Sequence, residues 1–317
     1  RTLPTAPTAK AQAAQQVPTI VANADLVNMI FSVEGKHGGF VPDLSQADFE
    51  VLEDGHPQQV RFFSLEDQLP LTLGLLLDTS PSQANVLRQE QQISDQFFRQ
   101  VLTPKDLAFV VGFDVDTTLL QDLTASTERL GQAVDQAHIG GADATAGGIN
   151  PGTFPQASSG GATHLWDAIY LACHDELAHQ AGRKAIIVVT DGGEQGSTYT
   201  EQDALHAALD SNTVVFAIIA ADPRFQYFPG GGSGQLRKIT EQTGGRSINA
   251  GNHLAAAYTE IQNELRSQYT LAYRSDNKAR NGKFRAVKIE LQGAAAKRND
   301  GAKVRARTGY FAPGPGQ

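Results

Sequence analysis

Residues 71–82 read LTLGLLLDTSPS, and this stretch decides the predicted fold. Residues 71–77 are mostly apolar, which is typical of a strand that is buried on both faces of a parallel sheet. The run ends at Asp78, and Ser80 and Ser82 follow at every second position. Apolar residues then recur at helical spacing between residues 86 and 102. Three oxygen-bearing side chains are therefore expected between the carboxyl end of a strand and a helix, where open α/β sheets bind their ligands.

Two interpretations of these three side chains are open at this point. One carboxylate and two hydroxyl groups form a set of hard oxygen ligands, which suits Mg²⁺ or Mn²⁺ and is poor for zinc. Alternatively, Ser80 or Ser82 caps the following helix, and Asp78 interacts favourably with the positive end of that helix.

Two later stretches favour the metal site. Residues 160–163 read GGAT and precede an amphipathic helix, and residues 185–192 read AIIVVTDG, a second buried strand that ends in an aspartate. The order Asp-x-Ser-x-Ser, then a lone Thr, then an Asp at a strand end resembles the metal-ion-dependent adhesion site (MIDAS) of von Willebrand factor type A domains. The resemblance covers residues 68–265 and assigns the metal-ligand roles to Asp78, Ser80, Ser82, Thr163 and Asp191.

This resemblance implies a protein-binding or adhesion module rather than a reaction. Such a site would hold Mg²⁺, or Mn²⁺ or Ca²⁺, and the cation would recognise a Glu or Asp side chain of a partner protein. The rim that meets the partner would include Thr79, His164 and Gly192. A lone histidine at such a position is, however, more often a surface or capping residue.

Strands alternate with helices through the same region, which predicts a doubly wound, mostly parallel α/β sheet of the Rossmann-like von Willebrand A type. The expected strands are residues 71–77, 107–113, 117–120, 185–190 and 214–219. The expected helices are residues 127–137, 165–177, 201–209, 236–243 and 253–265. Residues 139–161 are rich in Gly, Ala, Thr and Ser, so we expect a mobile loop that delivers Thr163 to the metal.

The two ends of the chain both have strand patterns. These are residues 20–33, 49–52 and 60–63 at one end and residues 269–273, 284–291 and 304–311 at the other, with polar loops at 276–282 and 294–301. Neither end has enough strands to bury a core alone. We therefore expect one β-sandwich into which the α/β domain is inserted. The predicted parts are a flexible leader (1–19), the first β part (20–67), the α/β domain (68–265) and the second β part (266–312).

Two short motifs at these ends support a bacterial relationship. Residues 48–55 read DFEVLEDG and residues 269–273 read YTLAY. Together with the central domain they resemble the acidobacterial VWFA-related family, whose members are largely exported. The resemblance implies a secreted, periplasmic or cell-surface protein. The chain begins at Arg1 rather than Met, for which a cleaved signal peptide and a cloning boundary are the two explanations.

Composition excludes several classes of partner. The formal net charge is −8, which argues against nucleic acid or an anionic membrane surface. No apolar run approaches the roughly 18–20 residues of a membrane span. Cys173 is the single cysteine, so an internal disulfide is impossible.

A hydrolase is the alternative function. The stretch Asp78-Thr79-Ser80 is similar to the catalytic motif of aspartic proteases, in which two close carboxylates share a proton. In this chain the two carboxylates would be those of Asp78 and Asp191. Those enzymes are all-β, whereas a helix follows here, and Asp191 precedes two glycines rather than Thr or Ser. A phosphatase of the haloacid dehalogenase type would need an aspartate where Ser80 stands. P-loop and G-x-S-x-G motifs are absent from the sequence, so we expect a protein that is not an enzyme.

Overall fold

The secondary structure is given by a computed structural model that describes residues 26–65, 69–140, 163–220, 233–251 and 253–315. In chain order the strands are β1 Leu26–Glu34, β2 Phe49–Glu53, β3 His56–Pro57, β4 Val60–Leu65, β5 Leu71–Asp78, β6 Leu107–Phe113, β7 Thr117–Thr124, β8 Arg183–Thr190, β9 Thr213–Ile219, β10 Ser247–Asn249, β11 Tyr269–Arg274, β12 Phe284–Leu291, β13 Lys303–Ala306 and β14 Gly309–Phe311. The helices are α1 Leu87–Val101, α2 Thr127–Gln136, α3 Leu165–Leu171, α4 Glu201–Asp210, α5 Ser233–Gln242, α6 Leu254–Arg266 and α7 Gly293–Arg298.

A six-stranded sheet with the order β10-β9-β8-β5-β6-β7 occupies the middle of the chain. All neighbours are parallel except β6 and β7, which are antiparallel. The sheet has a hydrophobic cluster on each face, one shared with α1, α2 and α6 and the other with α3, α4 and α5. The chain leaves β5 towards β6 and later returns to its other side as β8. The carboxyl ends of β5 and β8 therefore lie at a topological switch point, where such sheets bind ligands.

Burial explains why residues 71–78 form the central strand. Every residue of β5 is buried, so the apolar run faces helices on both sides of the sheet. Position 74 of β5 needs a glycine, because a Cβ atom there would lie 2.4 Å from the Phe109 ring on β6. The helix that follows buries the stripe formed by Leu87, Phe97, Phe98 and Val101.

Two antiparallel sheets hold the strands from the two ends of the chain. One has the order β13-β1-β11-β4 and the other β14-β12-β2-β3. Both sheets join strands that are far apart in sequence, because β1 pairs with β11 and β2 pairs with β12. One hydrophobic cluster contains Phe31 and Tyr269 from the first sheet and Phe49 and Ile289 from the second. The mixed α/β fold with separate antiparallel sheets agrees with the sequence-based expectation.

Some expected elements differ from the structure. Residues 293–298 form the short helix α7, where the sequence predicted a polar loop. Residues 304–311 are not one strand, because β13 and β14 belong to different sheets. The predicted helix 165–177 begins as α3 and continues as a π-helix at Ala172–Leu177. The leader at 1–19, residues 20–25 and the loop segment 141–161 lie outside the described residues.

No helix within the described part of the chain has both the length and the apolar character needed to cross a bilayer.

Candidate metal centre

Asp78 is the most deeply placed residue of the candidate site. Its side chain is fully buried at the end of β5. Backbone N of Ser80 donates to its Oδ1 at 2.9 Å, and Thr190 Oγ1 donates to its Oδ2 at 2.6 Å. Burial raises the pKa of Asp78 to about 7; hydrogen bonds from Ser80 and Thr190 oppose the rise, and the charge of Asp191 adds to it. Asp78 is therefore a carboxylate whose negative charge is poorly compensated by its surroundings.

Ser80 and Ser82 bring their hydroxyl groups together beside Asp78. Their Oγ atoms are 3.0 Å apart, on a short 3₁₀ turn at Pro81–Gln83. Ser80 occupies the N-cap position of this turn, but its side chain makes no capping hydrogen bond. The N-cap residue of α1 is Val86, which has no hydroxyl group. Helix capping therefore does not explain the two serines.

The side chains of Thr163 and Asp191 both lie close to Gly193. Thr163 is held by two backbone hydrogen bonds with Gln195, of 3.1 and 3.0 Å. Asp191 follows β8 directly, and its Oδ1 accepts from Gly193 N at 2.8 Å. A Cβ atom at Gly193 would lie 3.0 Å from Asp191 Oδ1 and 3.9 Å from Thr163 Oγ1. The oxygen atoms of both side chains thus face the same small space.

The loop carrying Asp191 is tied to the helix that follows Thr163. Glu194 Oε2 accepts from backbone N of Leu165 at 2.9 Å, at the first turn of α3. In return, Asp167 on α3 accepts from backbone N of Thr198 and Tyr199, at 3.1 and 2.8 Å. These reciprocal bonds fix Thr163 relative to Asp191.

The three predicted rim residues have distinct environments. Thr79 is buried, and its Oγ1 donates to Asp114 Oδ2 at 3.3 Å. His164 donates its backbone N–H to Asp114 O at 2.7 Å, and its ring nitrogen Nδ1 lies 3.8 Å from Asp167 Oδ2. Gly192 has a φ of 85°, a conformation that favours glycine, and its N–H donates to Thr190 Oγ1 at 3.0 Å. Asp114 therefore holds two of the rim residues in place.

Sequence reasoning missed two buried residues at this site. With its amide oriented to satisfy hydrogen bonds, Gln83 accepts from Asp191 N at 2.7 Å and donates to Ala220 O at 3.1 Å. Glu90 on α1 is fully buried, and neither of its carboxylate oxygens has a hydrogen-bond partner among the described residues. Burial, together with the charges of Asp78 and Asp191, raises the pKa of Glu90 to about 8. Its helical spacing from Leu87 places it near the buried stripe of α1, but that spacing does not show that its carboxyl group loses water.

The donor atoms fit a hard divalent cation. Asp78 and Asp191 supply carboxylate oxygens, and Ser80, Ser82 and Thr163 supply neutral hydroxyl oxygens, a set that suits Mg²⁺ or Mn²⁺. Within the described ranges, no group of three or more His, Cys, Asp or Glu side chains is arranged to hold a metal ion. A cation at this position would therefore depend on the hydroxyl groups.

Comparison with solved structures supports a von Willebrand A-like fold. The chain is similar to proximal thread matrix protein 1 (PTMP1) from the mussel byssus, with a TM-score of 0.50, 14% identity, and coverage of 68% of this chain and 51% of PTMP1. It thus spans about half the length of that protein. A second PTMP1 structure, described as having a zinc-occupied MIDAS motif, matches with a TM-score of 0.49 and 14% identity over 68% of this chain and 50% of the other. BatB from Bacteroides thetaiotaomicron matches with a TM-score of 0.43 and 17% identity over 62% of this chain and 100% of the other.

No protein-family model matches the chain, and no curated protein sequence matches it.

Proposed function

We propose that the chain is a metal-dependent protein-binding module that holds one divalent cation through Asp78, Ser80, Ser82, Thr163 and Asp191. The observation that carries this proposal is the convergence of two carboxylates and a facing pair of serine hydroxyls at the ends of adjacent parallel strands. Mg²⁺ is the expected ion, with Mn²⁺ and Ca²⁺ as the other candidates.

Charge supports recognition of an acidic partner. Two carboxylates and neutral hydroxyl groups leave a bound divalent ion electrophilic, so it would accept a further oxygen ligand. A Glu or Asp side chain on a partner protein supplies such a ligand, and Thr79, His164 and Gly192 would surround it. The excess of acidic residues over the whole chain is unfavourable for nucleic acid.

We infer binding rather than catalysis at this site. Both oxygens of Asp78 accept hydrogen bonds and the residue is fully buried, which leaves it poorly placed to attack a substrate. A protease-like mechanism would instead need Asp78 and Asp191 to share a proton on an accessible surface. The hydrolase alternative predicts turnover of peptide or phosphate-ester substrates that Asp78→Asn abolishes.

We also propose that the two antiparallel sheets form one β-sandwich, with residues 20–67 and 266–312 as its two parts and residues 68–265 inserted between them. The pairing of β1 with β11 and of β2 with β12 supports this division. The shared cluster around Phe31, Phe49 and Tyr269 supports it as well. A secreted, periplasmic or cell-surface location and a role in adhesion are part of the same proposal and rest on the sequence resemblance.

Calorimetric titration with Mg²⁺ and Mn²⁺ tests the metal site. We expect one ion per chain in the unmodified protein. Asp78→Asn should weaken binding by more than the roughly 10- to 100-fold that changes outside the ligand shell cost. The matched control is Asp122→Asn, because Asp122 is exposed on β7 near the opposite end of the sheet.

Acidic-partner recognition needs a second measurement. A surface displaying glutamate-containing peptides should retain the protein with Mn²⁺ and release it with chelator. Retention that persists with chelator, or that survives in Asp78→Asn, would contradict the proposal. Equal affinity for Mg²⁺ or Mn²⁺ in Asp78→Asn and Asp122→Asn would refute the assignment of the metal site.

A further inference from the structure

A second concave site lies away from the metal centre, where the six-stranded sheet meets the antiparallel sheets. It is a cavity of about 300 Å³, a volume at the lower end of the range for small-molecule sites. The carboxyl end of α4 and the residues that follow it, including Leu209 and Asn212, form one side of it. The start of β1 and residues 275–280 form the other. A ligand here would contact both parts of the molecule.

Arg307 contributes a guanidinium group whose hydrogen-bond partners are neutral. Its Nη1 donates to Leu209 O at 3.2 Å, and its Nη2 donates to Asn28 O at 2.8 Å. Its Nε faces the sulfur of Met29 at 3.3 Å, a weak acceptor. Burial lowers the pKa of Arg307 to about 10, so the group is still charged at neutral pH but is less stable there than in water. Carbonyl groups thus accept its hydrogen bonds, and the charge of Asp210 offsets its positive charge only in part.

Arg285 is buried in the same wall and is also bound mainly by neutral groups. Its Nη1 donates to Ser275 Oγ at 2.9 Å and to Asn277 O at 2.8 Å. The nearest carboxylate, Glu53, lies 3.6 Å from Nη1, but its two oxygens also accept hydrogen bonds from the hydroxyl groups of Tyr273 and Ser275. Glu53 therefore serves several donors at once and compensates Arg285 only in part.

Two exposed cations complete the wall. Lys278 and Arg280 both line the cavity, and Lys278 Nζ donates to Ser275 O at 2.7 Å. The lining contains four cationic side chains, and Asp210 is its single carboxylate among the described residues. This local excess of positive charge contrasts with the net charge of −8 for the whole chain. The lining also contains apolar side chains, among them Val27, Phe311 and Pro313.

We propose that this cavity binds a small organic anion, whose phosphate or carboxylate group contacts Arg285, Arg307 and Lys278 and whose apolar body packs against Val27 and Phe311. Planar guanidinium groups match the oxygen atoms of either anionic group. The site is independent of the metal centre. An anion bound here would neutralise the seam between the two parts of the chain and strengthen their contact.

Titration with phenyl phosphate, benzoate and inorganic phosphate tests this proposal. The experiment uses the full chain with chelator and without divalent cations, because phosphate would otherwise bind to a cation at the metal site. We expect phenyl phosphate or benzoate to bind at millimolar concentrations or tighter, and inorganic phosphate to bind more weakly because it lacks the apolar body. Which of the two organic anions binds tighter identifies the preferred head group.

Two exposed positions provide the test variants. The double variant Lys278→Gln with Arg280→Gln removes two exposed cations of the lining, and we expect about tenfold weaker binding. Lys283→Gln is the control, because Lys283 is exposed nearby but does not line the cavity. Absence of binding by all three anions would overturn the proposal. Unchanged affinity in the double variant, or an equal loss in Lys283→Gln, would overturn it as well.

Discussion

Two regions of the described chain bury carboxylates, but they surround them differently. Where α6 meets β1, Glu264 Oε2 accepts from Arg246 Nε at 2.6 Å, and Glu34 accepts from Arg246 at 3.3 Å and from Arg305 at 2.6 Å. At the ends of β5 and β8, the pKa values of Asp78 and Glu90 are governed by burial, hydrogen bonds and other carboxylates. No described lysine or arginine takes part in that balance.

The difference shows in the causes of the pKa shifts. Burial raises the pKa of Glu264, but Arg246, Ser32 and Arg305 oppose the rise. Burial alone would raise the pKa of Glu34, but Arg305 and Arg246 hold it below its ordinary value. Burial, together with nearby negative charges, raises the pKa of Glu90 to about 8. The first region stabilises its charges internally, as a structural joint does. The second lacks a cationic partner, so its buried carboxyl groups keep their protons to higher pH, and a bound cation would favour their charged forms.

Arg246→Met is expected to have the largest effect on stability. It leaves Glu264 buried without its cation, and breaking a buried pair on one side costs about 3–5 kcal/mol. The control is Arg99→Met, which removes an exposed pair with Asp95 and should change stability much less. Denaturant unfolding measures both. If the two variants lose similar free energy of unfolding, the ion pairs between α6 and β1 stabilise the protein no more than an exposed pair does.

Divalent cation should stabilise the protein through the other region. At a free Mn²⁺ concentration of one hundred times the dissociation constant, the free energy of unfolding should rise by about 2.7 kcal/mol. The increment should be the same in Arg246→Met, since that substitution is in the other region. It should vanish in Asp78→Asn. Equal stabilisation of Asp78→Asn would place the cation elsewhere.

Glu90→Gln should change the pH dependence of stability in the absence of metal. The folded state holds a proton on Glu90 up to about pH 8, whereas the unfolded carboxyl loses it near its ordinary value of 4.5. Between these values the folded state binds more protons, so the free energy of unfolding falls as pH rises, by up to about 1.4 kcal/mol per pH unit. Glu90→Gln removes this contribution.

The measurement is thermal or denaturant unfolding with chelator at pH 5 and pH 8. Glu90→Gln should resemble the unmodified protein at pH 5 and exceed it at pH 8. Glu128→Gln, at an exposed position of α2, is the control and should follow the unmodified protein. If the free energy of unfolding of Glu90→Gln falls with pH as steeply as that of the unmodified protein, the prediction is wrong and the surroundings of Glu90 stabilise its negative charge.

His164→Ala should have the smallest effect on cation binding. The ring of His164 lies beside Asp167 rather than among the proposed ligands, so Mn²⁺ affinity should stay within about twofold. Calorimetric titration of His164→Ala and Ser80→Ala with Mn²⁺ distinguishes a rim residue from a proposed metal ligand. A loss in His164→Ala as large as that in Ser80→Ala would move His164 into the ligand set.

Sequence patterns predicted the central fold well because periodicity reports burial. The apolar runs at β5 and β8 are buried over their whole lengths, and each predicted strand of the six-stranded sheet is present. The three-residue strand β10 was missed because it is too short to show a period. Helix α7 was missed because its polar flanks resemble a loop, although Ala295 is fully buried.

The candidate ligands were named from sequence through the resemblance to the MIDAS motif, because Asp78 and Asp191 end predicted strands and Thr163 precedes a predicted helix. Glu90 and Gln83 could not be named in this way, because their importance comes from what surrounds them. A glutamate within a helix is normally solvated, and only the packing of α1 against the sheet reveals that Glu90 has lost its water. The cavity at Arg285 and Arg307 likewise brings together residues that are separated in the chain by more than the span of any local motif.

The most direct test of the metal site is crystallographic. Crystals soaked in Mn²⁺ should show one anomalous difference peak at the ends of β5 and β8, about 2.2 Å from Ser80 Oγ and Ser82 Oγ and near Asp191. The same peak should be absent from crystals of Asp78→Asn. A peak located at other residues, or no peak at saturating Mn²⁺, would contradict the assignment of this site to a divalent cation.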